Sequence, residues 1–179
     1  MNKFAVFLRA INVGGKNLIK MDELKKIFKS VGCEDIKTYI QSGNVTFNSK
    51  ISDENSLIKK IESELHKNLS NDVLVFLRTS EQLKSIIQAN PFVKMISNNP
   101  TKLYITFLKD ELKQKLKLPF LSPKKDVEII QIKNREIYCI THEIKRQYGF
   151  PNLFIEKEFD AKATTRNWNT IIKVCDLLQ

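Results

Sequence analysis

The sequence has few of the residues that usually carry catalysis or cross-links. Its 179 residues include two histidines, three cysteines, one tryptophan and five glycines. His66 and His142 have no neighbouring Cys, His or Asp at metal-ligand spacing, so no metal site is predicted. No nucleophile elbow, paired-carboxylate signature or metalloprotease helix is present. The residues therefore identify no catalytic group and no cofactor, and an enzyme would have to assemble its site in the folded chain.

The cysteines and the apolar runs exclude two further classes. Cys33, Cys139 and Cys175 are widely separated in apolar surroundings, which indicates neither a disulfide framework nor a zinc site. Each is predicted to be a small buried hydrophobe. The longest apolar runs, FAVFL and DVLVF, are too short to cross a bilayer, and Arg9 interrupts the first before a signal-peptide core is complete. We expect a cytoplasmic protein with no membrane partner.

The chain carries an excess of positive charge. It has 30 Lys and Arg residues against 20 Asp and Glu, for a formal net charge of +10. Such a balance is typical of proteins that bind nucleic acid. The excess is almost all lysine, however, and lysine with abundant Asn and Ile also fits a coding sequence from an AT-rich genome. Nucleic acid is therefore an alternative partner rather than the favoured one.

The first 78 residues have the pattern of a β-α-β-β-α-β unit. Apolar runs predict strands at 4–8 and 73–77, and IKTYI and NVTFN form a hairpin around QSG. Apolar residues at helical spacing follow Met21 and Asp53, and Asp53 could cap the second helix. This order is that of the split βαβ, or ferredoxin-like, arrangement.

The pattern then begins again after a helix and a linker. Thr79 and Gln82 have capping-box spacing, and prolines bound the linker. LYITFL predicts a strand, 110–117 a short lysine-rich helix, and KNR a second hairpin turn. The terminal helix has an apolar stripe starting at Trp168, and a closing strand is missing unless LFIEKEF supplies it. We predict an α+β protein of two ferredoxin-like halves packed together, with mostly antiparallel sheets and helices on one face; the divisions are 1–78, 79–101 (helix and linker) and 102–179.

Both faces of the predicted first sheet are apolar. Along the first strand, Phe4, Val6 and Leu8 point one way, and Ala5 and Phe7 point the other. Two helices can cover only one face, so the second face must pack on something else. We expect the second half of the chain to cover it, with a homodimer as the alternative.

The main candidate site is the loop RAINVGGKN at 9–17. In a split βαβ unit, this loop, the start of the first helix and the turn QSGN lie at one edge. Adjacent glycines let backbone N–H groups approach a ligand closely, and a helix N-terminus adds unpaired donors. The sequence predicts a site for an anion such as a phosphate-bearing small molecule, although the glycines could instead serve only the turns. The expected ligand-binding residues here are Arg9, Asn12, Gly14, Gly15, Lys16, Ser42, Gly43 and Asn44.

A third polar stretch, ATTRNWN, precedes the terminal helix. Thr164 or Thr165 is predicted to cap that helix, which leaves Arg166 and Asn167 in its first turn. A cation there opposes the helix dipole, so an anion nearby would offset the cost. Arg166 and Asn167 therefore join the candidate ligand-binding residues if the two halves fold against each other.

Together, FLRAINVGGKN, TYIQSGNVTF and ATTRNWNTIIKV closely resemble a bacterial family known as domain of unknown function 1697. The resemblance spans essentially the whole chain, with the three motifs in the same order. It implies a small cytoplasmic α+β protein of two ferredoxin-like halves and supplies no activity, cofactor or catalytic residue.

The sequence leaves three hypotheses for function. The first is a module that binds an anionic small ligand at the glycine loop. The second is a nucleic-acid-binding module that stacks bases on Tyr39, Phe47 and Phe7. The third is an enzyme whose site is assembled between the two halves, or a protein-interaction subunit.

Overall fold

The structure, a computed structural model, describes residues 1–12, 14, 17–69, 72–93 and 101–179. Over these residues the protein is a mixed α+β chain with five helices and two antiparallel sheets, which confirms the predicted class. The chain divides into two compact units, Met1–Gln88 with Ile171–Gln179, and Ala89–Thr170. The end of the chain thus groups with the first unit, a division that differs from the one predicted at 78 and 102.

The first unit is built on a four-stranded sheet. Its strand order is β2-β3-β1-β4, so β3 lies between β1 and β2. Each neighbouring pair of strands is antiparallel. The elements are β1 (Asn2–Leu8), α1 (Met21–Ser30), β2 (Glu34–Tyr39), β3 (Asn44–Ser49), α2 (Glu54–Asn68), β4 (Val75–Thr79) and α3 (Ser80–Ala89).

One face of this sheet forms a core with α1 and α2. The Phe47 ring of β3 lies 5.8 Å from the ring of Phe4 on β1 and 5.3 Å from that of Phe28 on α1. Val6 and Leu8 join the same buried cluster, as the alternation along β1 predicts. Each apolar side chain buried in this way contributes about 1.5–3 kcal/mol, so the cluster holds the strand ends of the unit in place.

The opposite face of the sheet is buried as well. Ala5, Phe7 and Phe76 are at most 2% exposed, and Arg78 beside them is 1% exposed. The Nη1 atom of Arg78 donates a hydrogen bond to the Leu77 carbonyl at 2.7 Å. The apolar pattern on both faces of β1 therefore correctly predicts burial on both sides of the sheet.

The predicted caps of the helices that begin at Glu54 and Ser80 are confirmed. Asp53 accepts a hydrogen bond from the Ser56 N–H at 2.8 Å at the start of α2. The Thr79 N–H donates to Oε1 of Gln82 at 2.9 Å, and the Gln82 N–H donates to Oγ1 of Thr79 at 3.2 Å. These side chains satisfy backbone donors that a helix start otherwise leaves open.

The second unit holds a five-strand path, β10-β5-β8-β7-β6, with β9 paired to β8, and all pairings are antiparallel. The helix Pro151–Phe159 packs on a core of strand residues around Ile129 and Ile137, and its own Ile155 belongs to that core. The elements are β5 (Thr101–Leu108), β6 (Phe120–Leu121), β7 (Val127–Lys133), β8 (Glu136–Ile144), β9 (Gln147–Tyr148), α4 (Pro151–Phe159), β10 (Ala163–Asn167) and α5 (Trp168–Asp176).

Two expectations for this unit differ from the structure. The segment 110–117, described throughout, is irregular rather than helical, although Leu112 and Leu116 stand at helical spacing; Leu112 packs against the core. LFIEKEF lies in α4 instead of a strand, with Ile155 fully buried. The strand that pairs with β5 is β10. The second unit therefore does not repeat the element order of the first.

Glycine allows the β2–β3 turn to pack against the end of β1. The Leu8 N–H donates to the Gly43 carbonyl at 2.8 Å. A Cβ atom on Gly43 would lie only 2.8 Å from the Leu8 Cβ, and the φ of Gly43 is +73°. Both the space and the backbone angle therefore require glycine at this position.

Gly43→Ala is expected to lower the free energy of unfolding by about 2–4 kcal/mol, because a left-handed angle and a steric overlap are both imposed. Gly14→Ala is the matched control, since Gly14 has a φ of +61° and nothing within 4 Å of its Cβ position. Its loss is expected to be about 1 kcal/mol. Urea denaturation measures both, and equal losses would show that the contact with Leu8 contributes nothing.

Candidate functional site

The loop between β1 and α1 lies beside the turn between β2 and β3. Asn12 joins them: its Nδ2 donates to the Gln41 carbonyl at 2.8 Å and to the Ile19 carbonyl at 3.1 Å. Its Oδ1 accepts a hydrogen bond from the Ile19 N–H at 2.8 Å. The described residues of 9–17 and the turn 40–44 thus form one edge of the first unit, which is called the loop edge below.

Two further asparagines hold the loop edge together. Nδ2 of Asn17 donates to the Ala10 carbonyl at 3.0 Å. Nδ2 of Asn44 donates to the Tyr39 carbonyl at 3.0 Å and to Oγ of Ser42 at 2.9 Å, and Asn44 is 1% exposed. The amides of Asn12 and Asn44 therefore shape the two segments, a role that differs from the ligand contact predicted for them.

Left-handed backbone is concentrated at the loop edge. In the β1–α1 loop, φ is +63° at Ala10, +53° at Asn12, +61° at Gly14 and +49° at Asn17. In the turn, Ile40 has a φ of +49°, which is rare for a β-branched side chain. A non-glycine residue held in this region costs about 1–3 kcal/mol. The hydrogen bonds of the asparagines hold this strained conformation.

The start of α1 already has acidic partners from its own sequence. Asp22 and Glu23 lie in the first turn, and the Lys20 N–H donates to Oε2 of Glu23 at 3.4 Å. These carboxylates offset the helix dipole, so the predicted contribution of this helix end to anion binding is weak. A cleft of about 450 Å³ beside it is lined by Asn12, Leu18, Ile19, Lys20, Met21, Asp22, Glu23 and Gln41.

Some of the remaining residues predicted at this edge are described by the structure, and others are not. Arg9 follows β1, is half-buried, and its N–H donates to the Leu74 carbonyl at 3.0 Å. Gly14 is exposed, and Ser42 lies in the turn. Gly15 and Lys16 lie outside the residues that the structure describes.

Arg166 and Asn167 lie in β10 rather than in the first turn of α5. Their register partners are Ile105 and Tyr104 of β5. The dipole argument for a nearby anion therefore does not apply to Arg166. Both residues belong to the second unit, whereas the other predicted residues belong to the first.

The cap of α5 is Asn167, and the predicted caps Thr164 and Thr165 are wrong. Oδ1 of Asn167 accepts a hydrogen bond from the Asn169 N–H at 3.0 Å. Nη1 of Arg166 donates to Oγ1 of Thr164 at 2.8 Å and to the Thr165 carbonyl at 2.9 Å. Burial lowers the pKa of Arg166 to about 10, so its guanidinium stays charged at neutral pH.

Sequence reasoning missed a buried polar network in the second unit. Oγ1 of Thr165 lies 2.8 Å from Oγ1 of Thr106 and 3.3 Å from Oδ1 of Asn152. Nδ2 of Asn152 donates to Glu156 at 3.1 Å, and the Ala163 N–H donates to the same carboxylate at 3.1 Å. The network docks α4 on β5 and β10. Thr106 and Thr165 are 59 residues apart in the chain, so no short sequence motif indicates this network.

The three cysteine thiols are not activated as nucleophiles. All three cysteines are buried, as predicted. Burial raises the pKa of Cys33 to about 12 and also raises the pKa of Cys139 and of Cys175. A nucleophilic cysteine needs a lowered pKa and access to solvent, so these three residues have the properties of core side chains.

The histidines each have one carboxylate partner. Nε2 of His142 lies 2.9 Å from Oε2 of Glu128, and Nδ1 of His66 lies 2.8 Å from Oδ1 of Asp72. Within the described ranges, no three His, Cys, Asp or Glu side chains gather into a possible metal site. The helices of the described chain are all too short or too polar to cross a bilayer.

Two of the aromatic residues predicted to stack on bases cannot do so. Phe7 and Phe47 are 0% and 1% exposed, because apolar side chains cover both faces of the first sheet. A stacking platform requires an exposed ring face. Trp168, by contrast, is a core residue as predicted: it is 5% exposed and its ring meets that of Phe92 edge-on at 5.1 Å.

Comparison with known proteins places the chain in a family. A search of curated proteins found no match. Among solved structures, the chain is similar to the conserved bacterial protein SP0830 from Streptococcus pneumoniae, with 20% identity and a TM-score of 0.64 over 99% of each chain. At that identity the likeness shows the fold alone. The sequence also matches the family described as Protein of unknown function (DUF1697) over residues 1–138, a span that contains the loop edge and ends before ATTRNWN. The chain therefore belongs to the DUF1697 family, as its motifs predicted.

Proposed function

We propose that the loop edge binds a small anionic ligand, either phosphate-bearing or a carboxylate. The observation that carries the proposal is the cluster of left-handed residues in two segments joined by Asn12. Segments that only connect one element to the next have no need of strain at Ala10 in the β1–α1 loop or at Ile40 in the β2–β3 turn. Strain of this kind persists where the surrounding structure imposes it and is concentrated at binding sites.

The backbone pattern of the loop suits an anion. Ala10, Asn12 and Gly14 occupy alternate positions and all have positive φ. Turns with left-handed residues direct neighbouring N–H groups to one side and form concavities that bind anions. Gly14 leaves open space where a side chain would stand, which allows a ligand to approach the backbone closely.

Charge supports the same conclusion. Arg9 enters the loop directly after β1 and Lys20 leaves it directly before α1, and Lys16 stands between them in sequence. The chain as a whole has a formal charge of +10, which raises the local concentration of anions. In this proposal the site is built by Asn12, Gly43 and Asn44. The ligand is contacted by Arg9, Ser42 and the loop that contains Gly14 and Gly15.

We also infer a finer fold for the first unit, and the cytoplasmic location expected from the sequence stays a prediction. The order β2-β3-β1-β4, with α1 and α2 packed on one face, supports a ferredoxin-like arrangement for this unit. The second unit has a different element order, so the inference extends to the first unit alone.

Ile40→Asn is expected to raise the free energy of unfolding by about 1 kcal/mol, because asparagine tolerates the left-handed region better than a β-branched residue. Ile40 is 53% exposed, so little apolar burial is lost. Ile40→Val is the control: it keeps the branch and the strain, and we expect a change within about 0.5 kcal/mol. Urea denaturation measures the free energy of unfolding of both variants. If that of Ile40→Asn does not exceed the wild-type value, the turn is unstrained.

Thermal unfolding with phosphate, pyrophosphate or citrate tests the ligand class. We expect at least one of these anions to raise the Tm of the wild type by several degrees, since a ligand at 100 times its Kd stabilises by about 2.7 kcal/mol. Arg9→Gln, measured against its own Tm without ligand, is expected to lose at least half of that shift.

The control for this experiment is Lys59→Gln, which removes an exposed cation on α2, outside the loop edge. It is expected to keep the wild-type shift. If no anion shifts the wild type, or if both variants lose the shift equally, the proposed site is wrong and the response reflects overall charge.

A further inference from the structure

The turn between β8 and β9 has residues that its geometry does not favour. Ile144 pairs with Gln147, so Lys145 and Arg146 are the two turn residues. Their φ angles are +51° and +63°. A two-residue hairpin turn with two positive φ angles strongly prefers Asn-Gly. Here the chain holds two long, exposed cations in the strained positions.

Aromatic side chains lie beside this turn. Nζ of Lys102 lies 3.9 Å from the centroid of the Tyr148 ring, a cation–π contact that fixes the ammonium group over the ring. Phe150 is 53% exposed. The ring of Tyr104 meets the Phe150 ring edge-on, with centroids 6.4 Å apart and planes at 85°, and this contact orients Phe150.

These residues share one surface of the second unit. Tyr148 pairs with Glu143 across the β8–β9 hairpin, so it lies within two residues of the cationic turn. The hydroxyl of Tyr148 donates to Oε2 of Glu143 at 3.2 Å. Lys102 over the Tyr148 ring and Lys145 and Arg146 in the turn therefore supply three cations, and Glu143 supplies a carboxylate. We call this set the aromatic–basic surface: Lys102, Tyr104, Lys145, Arg146, Tyr148 and Phe150.

We propose that the aromatic–basic surface binds single-stranded nucleic acid. An exposed ring stacks on an unpaired base, and lysine and arginine side chains bind the phosphates on either side of it. A duplex keeps its bases stacked inside the helix, so a ring platform of this kind favours single strands. This surface belongs to the second unit, whereas the residues of the loop edge belong to the first.

Fluorescence anisotropy of a fluorescein-labelled 12-nucleotide oligouridine tests the proposal in 50 mM salt. Phe150→Ala is expected to weaken binding by about 5- to 150-fold, the effect of losing one stacked base. Leu153→Ala is the matched control, since Leu153 is 70% exposed, apolar and three residues further along α4. It is expected to bind like the wild type. A labelled oligothymidine of the same length distinguishes RNA from DNA as the preferred strand.

The double variant Lys145→Asn/Arg146→Gly separates binding from folding. Because Asn-Gly suits the turn, its Tm is expected to rise by about 3–6 °C. Its binding is expected to weaken, and the dependence of log K on log salt is expected to become shallower by about 1.4, because two cations no longer neutralise phosphates of the single strand. A more stable protein that binds less tightly cannot owe the loss to unfolding.

Three results would overturn the proposal. One is the absence of an anisotropy change for the wild type in 50 mM salt. Another is oligouridine binding by Phe150→Ala or by the turn variant that equals the wild type. The third is a 12-base-pair duplex that binds as tightly as the single strand, which would show attraction by charge without stacking.

Discussion

The hydrogen bonds of one amide, that of Asn12, determine the shape of the loop edge. Both of its N–H groups and its oxygen are used, and they connect the β1–α1 loop to the Gln41 carbonyl of the neighbouring turn. A side-chain amide can donate two hydrogen bonds and accept another at the same position. A partner left unpaired at a part-buried site costs about 1–3 kcal/mol, so the amide can hold Ala10 and Ile40 in left-handed conformations.

The first unit could be predicted because its signals are local. Alternation along β1 identified the two faces of the sheet, and side chains three residues apart, Thr79 and Gln82, marked a helix start. The second unit could not, because distant pairings decide it. Ala163–Asn167 forms a strand since β5, more than fifty residues earlier, offers it an edge. The segment 110–117 carries lysines and two leucines at helical spacing, which favour a helix, yet it is irregular, and Leu112 packs against the core of the second unit.

The same difference between local signals and contacts of distant residues applies to the candidate site. Sequence reasoning found the segments that form the loop edge but did not predict that Asn12 and Asn44 bind the backbone of these segments, because polar side chains in a loop look alike whether they hold the backbone or a ligand. The carbonyl that Asn12 binds in the turn is 29 residues away. Ile40 was not identified at all, since it ends an apolar run that is typical of a strand. Only its backbone angle distinguishes it.

The two proposed surfaces share a physical signature in different units. At the loop edge Ile40, and at the β8–β9 turn Lys145 and Arg146, occupy left-handed positions that asparagine or glycine would fill more easily. In both places the strained residues adjoin groups suited to a ligand, which are backbone donors with Arg9 in one case and aromatic rings in the other. Strain retained next to such groups is the common reason for assigning binding to these surfaces.

The central claim is that the loop and the turn act as one preorganised anion site. A phosphate titration followed by ¹H–¹⁵N correlation NMR tests it most directly, because the amides of both segments report separately. The account predicts shifts at 9–17 and at 41–44 that follow a single binding curve. Shifts confined to one of the segments, or spread over exposed lysines elsewhere in the chain, would contradict it.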